Sequence, residues 1–423
     1  MDYILRAKKS GAKIIVVDVR ETRTMAFADH RLIIRPGTDI VLANALAHVI
    51  IEEELYNEEF IRSRTTGFSE VRMAVKKYTP EYAERVTGVS AKKIKEVARD
   101  FSLAGSGGAE MWGGMGGLTQ HVSGVENVLA LINLALLLGY IGERGGLYPM
   151  RGQNNVQGAA YMGALSEFLP GYVPLTDGKF RKKVAGLWGV DDLPTERGGL
   201  YLTELWDAIE KGDVRALYIV GENPAVSEAD FMRVRRALRN LDLLVVQDIF
   251  PPTRTARYAH YLLPASAFCE KAGSYMNSER RIQWSEKVCE PAYDSKPDWE
   301  ILTMLGKALG LPGFNYTSVE EITAEYFRLF PELEEKSVEE LKNSDGIFLP
   351  KKRLHTWEFA TPDGKARFMA VEWIPPWEGP DDKYPLCPHD GQAYRSLQHR
   401  GGDDAEEPVT CQTHGRAKST DKP

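Results

Sequence analysis

The sequence lacks most of the features that would declare a role at once. Its four cysteines (Cys269, Cys289, Cys387 and Cys411) stand far apart with no Cys-x-x-Cys pair, so neither zinc nor iron–sulfur ligand spacing can be read. That usage fits a reduced, cytosolic compartment. A basic excess is missing too. The net charge of -7 excludes a broad nucleic-acid-binding surface. The opening Met-Asp-Tyr-Ile-Leu-Arg-Ala-Lys-Lys carries no secretory leader pattern. The longest apolar run, 125–141, contains Glu126, Asn127 and Asn133, which makes it a buried helix and not a membrane span. A Gly-x-Gly-x-x-Gly fingerprint is absent, so a plain single-unit dinucleotide site is excluded.

What is present is ordinary globular composition, 43% hydrophobic and 27% charged over 423 residues, enough for two or three cored domains. The run Ala12-Lys-Ile-Ile-Val-Val-Asp18 reads as a buried parallel strand ending in an acid. Arg35-Pro-Gly-Thr-Asp39 then feeds a helix over 40–54. Helical periodicity follows over 58–77, 80–86 and 90–103, the last with Ser90 as N-cap. Glu110-Met-Trp112 is strand-like, and Gly113-Gly-Met-Gly-Gly117 separates it from the apolar helix 121–140. Strands also fit 216–220, 243–247 and 261–263, with a helix over 228–239. Strands alternating with helices predict an α/β protein of two doubly wound parallel-sheet units.

Ligands of open parallel sheets lie at the carboxyl ends of strands. Four motifs fall there: Asp18 with Arg20, the 113–117 glycines, Gly221-Glu-Asn-Pro224, and Gln247-Asp-Ile-Phe250. Each alone is an ordinary turn. Distributed over two units, they point to one large ligand with elements in both. Arg151, within Arg151-Gly-Gln-Asn-Asn-Val-Gln-Gly158, differs in kind. A guanidinium can grip a carboxylate through two parallel hydrogen bonds and stays charged, or it can tie two domains at a hinge. From position alone both readings stand.

Together these motifs bring out a likeness. Val17-Asp-Val-Arg20, Ile34-Arg-Pro-Gly-Thr-Asp39, Gly114-Met-Gly-Gly-Leu-Thr-Gln120, Arg151–Gly158, Gly221–Pro224, Val246-Gln-Asp-Ile-Phe250, Leu262-Leu-Pro-Ala265, Glu279-Arg-Arg281 and Thr361-Pro-Asp-Gly-Lys-Ala-Arg-Phe368 occur in order. The chain resembles the catalytic α subunit of molybdopterin-dependent formate dehydrogenases, within the dimethyl-sulfoxide-reductase family, from about residue 1 to 386. The resemblance implies a bis-molybdopterin guanine dinucleotide holding molybdenum or tungsten. It implies that Asp18, Arg20 and Asp39 hold one guanosine end. Met115, Gln120, Asn223, Ser227, Gln247 and Asp298 would contact the pterin dinucleotides, and Gln153 would approach a pterin. Arg151 would orient formate for oxidation to carbon dioxide, the electrons passing to an iron–sulfur cluster and an electron-transfer subunit serving a hydrogenase or an NAD(P)-reducing module. No nucleic-acid partner and no membrane span are expected.

The likeness also assigns regions: a first pterin-binding domain over 1–153, a second over 154–265, a segment over 266–360 packing toward a cluster domain, and the start of a C-terminal barrel over 361–386. The family's four-cysteine [4Fe-4S] motif and its selenocysteine- or cysteine-His metal ligand have no counterpart here. No metal-ligating residue is therefore assigned, and this chain by itself is expected not to oxidise formate. A selenocysteine codon read as a stop, with a restart at Met1, would account for that. Residues 387–423 depart from the family. Read one base later with suitable codons, 387–400 gives Val-Leu-Thr-Thr-Gly-Arg-Leu-Ile-Gly-His-Phe-Asn-Thr-Gly, as expected of a frameshifted tail. Two alternatives remain: another molybdopterin oxidoreductase acting on a different anion, or a degenerate scaffold subunit of an electron-transfer complex.

Overall fold

The computed structural model describes residues 2–104, 107–113, 117–193, 198–250, 252–349, 355–376 and 382. Met115 and the tail 387–423 lie outside the described residues. The chain divides into two compact units. One contains 1–199, 268–290 and 302–391, the other 200–267, 291–301 and 392–423.

The first unit is organised around the helix Asp39–Glu52, whose sequence DIVLANALAHVIIE is apolar on nearly every side. Such a helix has no solvent face and must be surrounded. The helices Pro80–Thr87, Ala91–Ser102 and Gly124–Leu138 pack around it, and Ile40, Ile50, Ile94 and Leu137 are fully buried. Each such side chain contributes about 1.5–3 kcal/mol on leaving water. The expected N-cap is in place: Ser90 Oγ accepts the Lys93 N–H at 3.3 Å. Ile15–Asp18 pairs in parallel with His30–Ile33, and Gly108–Gly113 with Gly145–Met150.

The continuous helix expected over 58–77 is broken. Glu58–Arg64 and Phe68–Ala74 are helical, but Thr65–Thr66 is extended and pairs with Ala366–Arg367. Gly67, at φ +83°, makes the turn, and a Cβ there would stand 2.7 Å from the Phe368 carbonyl. The helical period is overridden by a strand supplied from far along the chain. Among the described residues no strands close into a barrel.

The second unit is a parallel three-stranded sheet in which Leu243–Asp248 lies between Ala216–Val220 and Tyr261–Pro264. The helices Leu202–Lys211 and Phe231–Arg239 pack together, and Trp206, Ile209, Val234 and Leu238 share a core with Leu244 and Val246. Asp230 caps the second helix, accepting the Arg233 N–H at 2.9 Å. Both units are thus α/β with parallel sheets.

Glu110 is out of keeping with its strand. Gly108, Glu110 and Trp112 share the less exposed face of Gly108–Gly113. Both Glu110 carboxylate oxygens are shielded and have no hydrogen-bond partner among the described residues. Burial raises its pKa to about 8. The folded chain therefore keeps a proton that the unfolded chain releases near 4.5. Stability is greatest below that value and falls as pH rises through about 8, by at most about 1.4 kcal/mol per pH unit. Glu110→Gln should flatten this slope and raise the melting temperature at pH 8 relative to the native chain. Thermal melts of both proteins from pH 5 to pH 9 check this; parallel curves would clear Glu110 as the cause.

Candidate functional site

Arg151 emerges at the carboxyl end of a strand, because the parallel register sets Gly113 opposite Met150. Its side chain is exposed yet held. Arg151 Nε donates to Gln157 Oε1 at 3.2 Å and an Nη donates weakly to the Tyr172 hydroxyl at 3.4 Å. Gln157, 8% exposed, donates its own Nε2 to the same hydroxyl at 3.3 Å. All these partners are neutral, and among the described residues no carboxylate pairs with Arg151. The positive charge is aimed without being cancelled.

The loop behind it is rigid for local reasons. Asn155 adopts φ +56° and Tyr172 φ +59°, left-handed conformations that cost a non-glycine residue about 1–2 kcal/mol. Asn155 Oδ1 accepts the Met276 N–H at 3.0 Å, and Tyr172 lies edge-on to Tyr161 at 6.0 Å between ring centroids. A Cβ at Gly158 would stand 2.1 Å from Asn155 Oδ1. The amides of the 151–158 motif thus hold the arginine's frame. Asn155, Gln157 and Tyr172 were not singled out from the sequence. No motif joins Tyr172 to Arg151, though its place on a Gly-Tyr turn was a faint signal.

Elsewhere in this unit, Asp18 Oδ1 accepts the Arg20 N–H at 3.2 Å. Asp39 opens the central helix; burial raises its pKa, while the charge of His121 opposes the shift. That places the Gln120–His121 turn within electrostatic reach of Asp39. His121 Nε2 is 2.7 Å from the Gly117 carbonyl oxygen, and Gln120 is exposed. Gln153 is exposed on the arginine loop.

In the second unit, Gln247 is completely buried. It donates Nε2 to Asp298 Oδ1 at 2.6 Å, and its Oε1 accepts from the Tyr218 hydroxyl. Asn223 Oδ1 accepts from Thr255 N and Oγ1 at 3.0 and 2.8 Å, and Ser227 Oγ donates to the Asn223 carbonyl at 3.3 Å. Two clusters result, Gln247–Asp298–Tyr218 and Asn223–Ser227–Thr255. Glu222, beside them, has a raised pKa from partial burial and from the charges of Glu228 and Asp248.

Glycines of two kinds border these groups. At Gly108 a Cβ would meet the Tyr140 ring at 2.5 Å, and at Gly145 the Gly108 carbonyl at 1.8 Å; these positions serve strand packing. Gly117 and Gly221 follow strand ends and have nothing within 4 Å of the Cβ position. There the backbone lies open to an approaching group.

Gly158→Ala should displace the Asn155 side chain from Met276 and cost about 1–3 kcal/mol. A urea midpoint unchanged from the native chain would show that Asn155 does not brace this loop.

Comparison with known proteins identifies the family and the fold. Residues 2–308 match the family model described as molybdopterin oxidoreductase. Formate dehydrogenase H of Escherichia coli is 40% identical over 396 residues, which covers 91% of this chain and 54% of that protein. The F420-dependent formate dehydrogenase subunit alpha of Methanocaldococcus jannaschii is 42% identical over 393 residues, covering 90% and 57%. The assimilatory nitrate reductase catalytic subunit of Bacillus subtilis is 36% identical over 411 residues, covering 91% and 56%. The chain therefore spans little more than half the length of these relatives. Acetylene hydratase from Pelobacter acetylenicus shares the fold, with a TM-score of 0.61 at 22% identity over 86% of this chain and 52% of that one. No helix among the described residues is long and apolar enough to cross a membrane. The family match over most of the chain and the parallel-sheet units agree: the chain belongs to the molybdopterin oxidoreductase family.

Proposed function

We propose that these residues form the pterin-binding and formate-positioning part of a formate dehydrogenase catalytic subunit. The observation that carries this reading is Arg151, fixed at a strand end by Gln157 and Tyr172 with its charge unneutralised. The identity to two proteins called formate dehydrogenase supports it.

The family's cofactor fits what is present. Gly117 has open space at its Cβ position, and Gly221, at φ +65°, makes a left-handed turn just past a strand end; both would admit a dinucleotide close to the backbone. In the first unit Asp18, Arg20, Asp39, Gln120 and Gln153 would hold one guanine dinucleotide. A carboxylate can accept from ribose hydroxyls or from a guanine edge. In the second unit Asn223, Ser227 and Asp298 would hold the other, with Gln247 bracing Asp298 from within the core. When bound, the molybdenum or tungsten group supplies a two-electron sink.

The chain's own part is orientation. Formate loses two electrons and one proton to become carbon dioxide. Arg151 meets the formate oxygens with the N–H groups it does not give to Gln157 and Tyr172, fixing the carboxylate plane. Gln157 and Tyr172 restrain the guanidinium, so little side-chain entropy is lost on binding. By the family likeness, an iron–sulfur cluster held by residues other than those assigned here would take the electrons on to an electron-transfer subunit. The metal's protein ligand lies outside the residues assigned here, so the 423-residue polypeptide is expected to bind the pterin without oxidising formate. The match to a nitrate reductase favours one competing reading, in which the same arginine receives another planar anion.

The test has two arms. The chain is made in a host with a complete cofactor pathway, and its pterin is extracted and quantified; an absence of bound pterin would defeat the cofactor assignment. In the full-length protein, Arg151→Lys should retain pterin and lower kcat/KM for formate by roughly 100-fold or more, since charge-assisted hydrogen bonds contribute about 1.5–3 kcal/mol each. Unchanged formate turnover, or turnover of nitrate in its place, would refute the formate assignment.

A further inference from the structure

Two cysteines that the sequence left unassigned meet at the base of a hairpin in the first unit. Gly273–Met276 pairs antiparallel with Arg281–Ser285, with Gly273 opposite Ser285. Beyond the hairpin's open end the chain turns through the 3-10 segment Phe268–Glu270, which brings Cys269 back against Val288 and Cys289. Val288 and Cys289 N–H both donate to the Cys269 carbonyl, at 2.8 and 3.2 Å. The Cys289 thiol lies 3.7 Å from that carbonyl oxygen and is hydrogen-bonded with the Cys269 side chain. Both thiols are free; Cys289 is exposed and Cys269 partly so. The direct backbone hydrogen bond from Cys289 to Cys269 and the contact between their side chains set the two thiols side by side, as closure to a disulfide requires.

Other uses of the pair fit less well. Among the described residues no group of three or more Cys, His, Asp or Glu side chains could hold a metal. Desolvation, the Cys269 contact and the nearby Glu270 and Glu290 all disfavour a Cys289 thiolate, which argues against a standing nucleophile. We infer that Cys269 and Cys289 are a redox-modification site, a dithiol that closes reversibly to an intramolecular disulfide. The oxidant is a low-molecular-weight disulfide. Either cysteine begins, through the fraction of it that is ionised. With Cys289 first, its thiolate attacks one sulfur of the small disulfide, forming a mixed disulfide and releasing one small thiol. The Cys269 thiolate then attacks the Cys289 sulfur and releases the second. The protein loses two electrons and two protons, and the small disulfide gains both as two thiols. The bond staples the base of the hairpin whose far end, at Met276, receives the Asn155 side chain.

The experiment uses the full chain, reduced, desalted and then exposed to oxidised glutathione. Free thiols are afterwards alkylated and peptides mapped by mass spectrometry. The expected product is a peptide pair joining Cys269 to Cys289, two hydrogens lighter than the reduced pair and separated by dithiothreitol. Cys269→Ser and Cys289→Ser should each trap a glutathione adduct on the other cysteine of the pair. Three outcomes would overturn the inference: separate glutathione adducts on Cys269 and Cys289, cross-links from either to Cys387 or Cys411, or two thiols that stay alkylatable in the folded chain while reacting in urea.

Discussion

An arginine can orient a small anion only if its guanidinium is held in a fixed plane and its charge remains available. The two needs conflict, because the strongest partner for a guanidinium is a carboxylate, which also neutralises it. Arg151 avoids the conflict by resting on an amide oxygen and a phenol, Gln157 and Tyr172. That choice places demands on the surrounding fold. Gln157 must be buried to be fixed, Tyr172 must accept a left-handed backbone, and Asn155 must bridge to Met276. Gly158 must lack a side chain so that Asn155 can stand where it does. The amide-rich loop is therefore a scaffold for one cation.

The cores of both units serve the same end by different means. In the first, a mostly apolar helix is sheathed by three others, and polar groups stand at its start, Asp39, and at the strand end Asp18. In the second, the central strand Leu243–Asp248 buries Leu244 and Val246 and then, without a break, the polar Gln247 and Asp248. A change from apolar to polar along one buried strand is costly unless each polar atom finds a partner. Gln247 finds them in Asp298 and Tyr218, and Asp248 Oδ1 accepts from the backbone of Ile249 and Phe250.

Much of this framework was legible from local pattern. The β-branched runs, the apolar helix and the Ser90 cap follow from short-range rules. The first strand, Ile15–Asp18, is not buried as expected: among the described residues it pairs with one neighbour only, and Val17 is exposed. The break at Thr65–Thr66 was not legible, because its cause lies at Ala366–Arg367 and no local window contains both. Arg151 could be singled out by type and setting, yet its supports could not. Tyr172 becomes its partner only through the turn of the short hairpin that pairs Phe168–Leu169 with Val173–Pro174. Glycines were legible as a class but not by function. Gly108 and Gly145 are small because protein atoms crowd them, whereas nothing crowds Gly117 and Gly221.

The second unit shows how satisfied hydrogen bonds restrict what a ligand could ask of each residue. The backbone N–H of Thr255 fixes which end of the Asn223 amide faces inward, and the Thr255 hydroxyl gives that oxygen a second donor. A ligand reaching Asn223 therefore meets its Nδ2 donors and must present an acceptor, such as a phosphate or pterin carbonyl oxygen. Gln247 is engaged through both ends of its amide and is fully buried, so direct contact with a ligand would require Asp298 or Tyr218 to yield. Its more economical role is to hold those two side chains in place. Of the polar residues that sequence likeness groups together, Asn223 keeps free donors for a ligand under the proposed function, whereas Gln247 is spent on its protein partners.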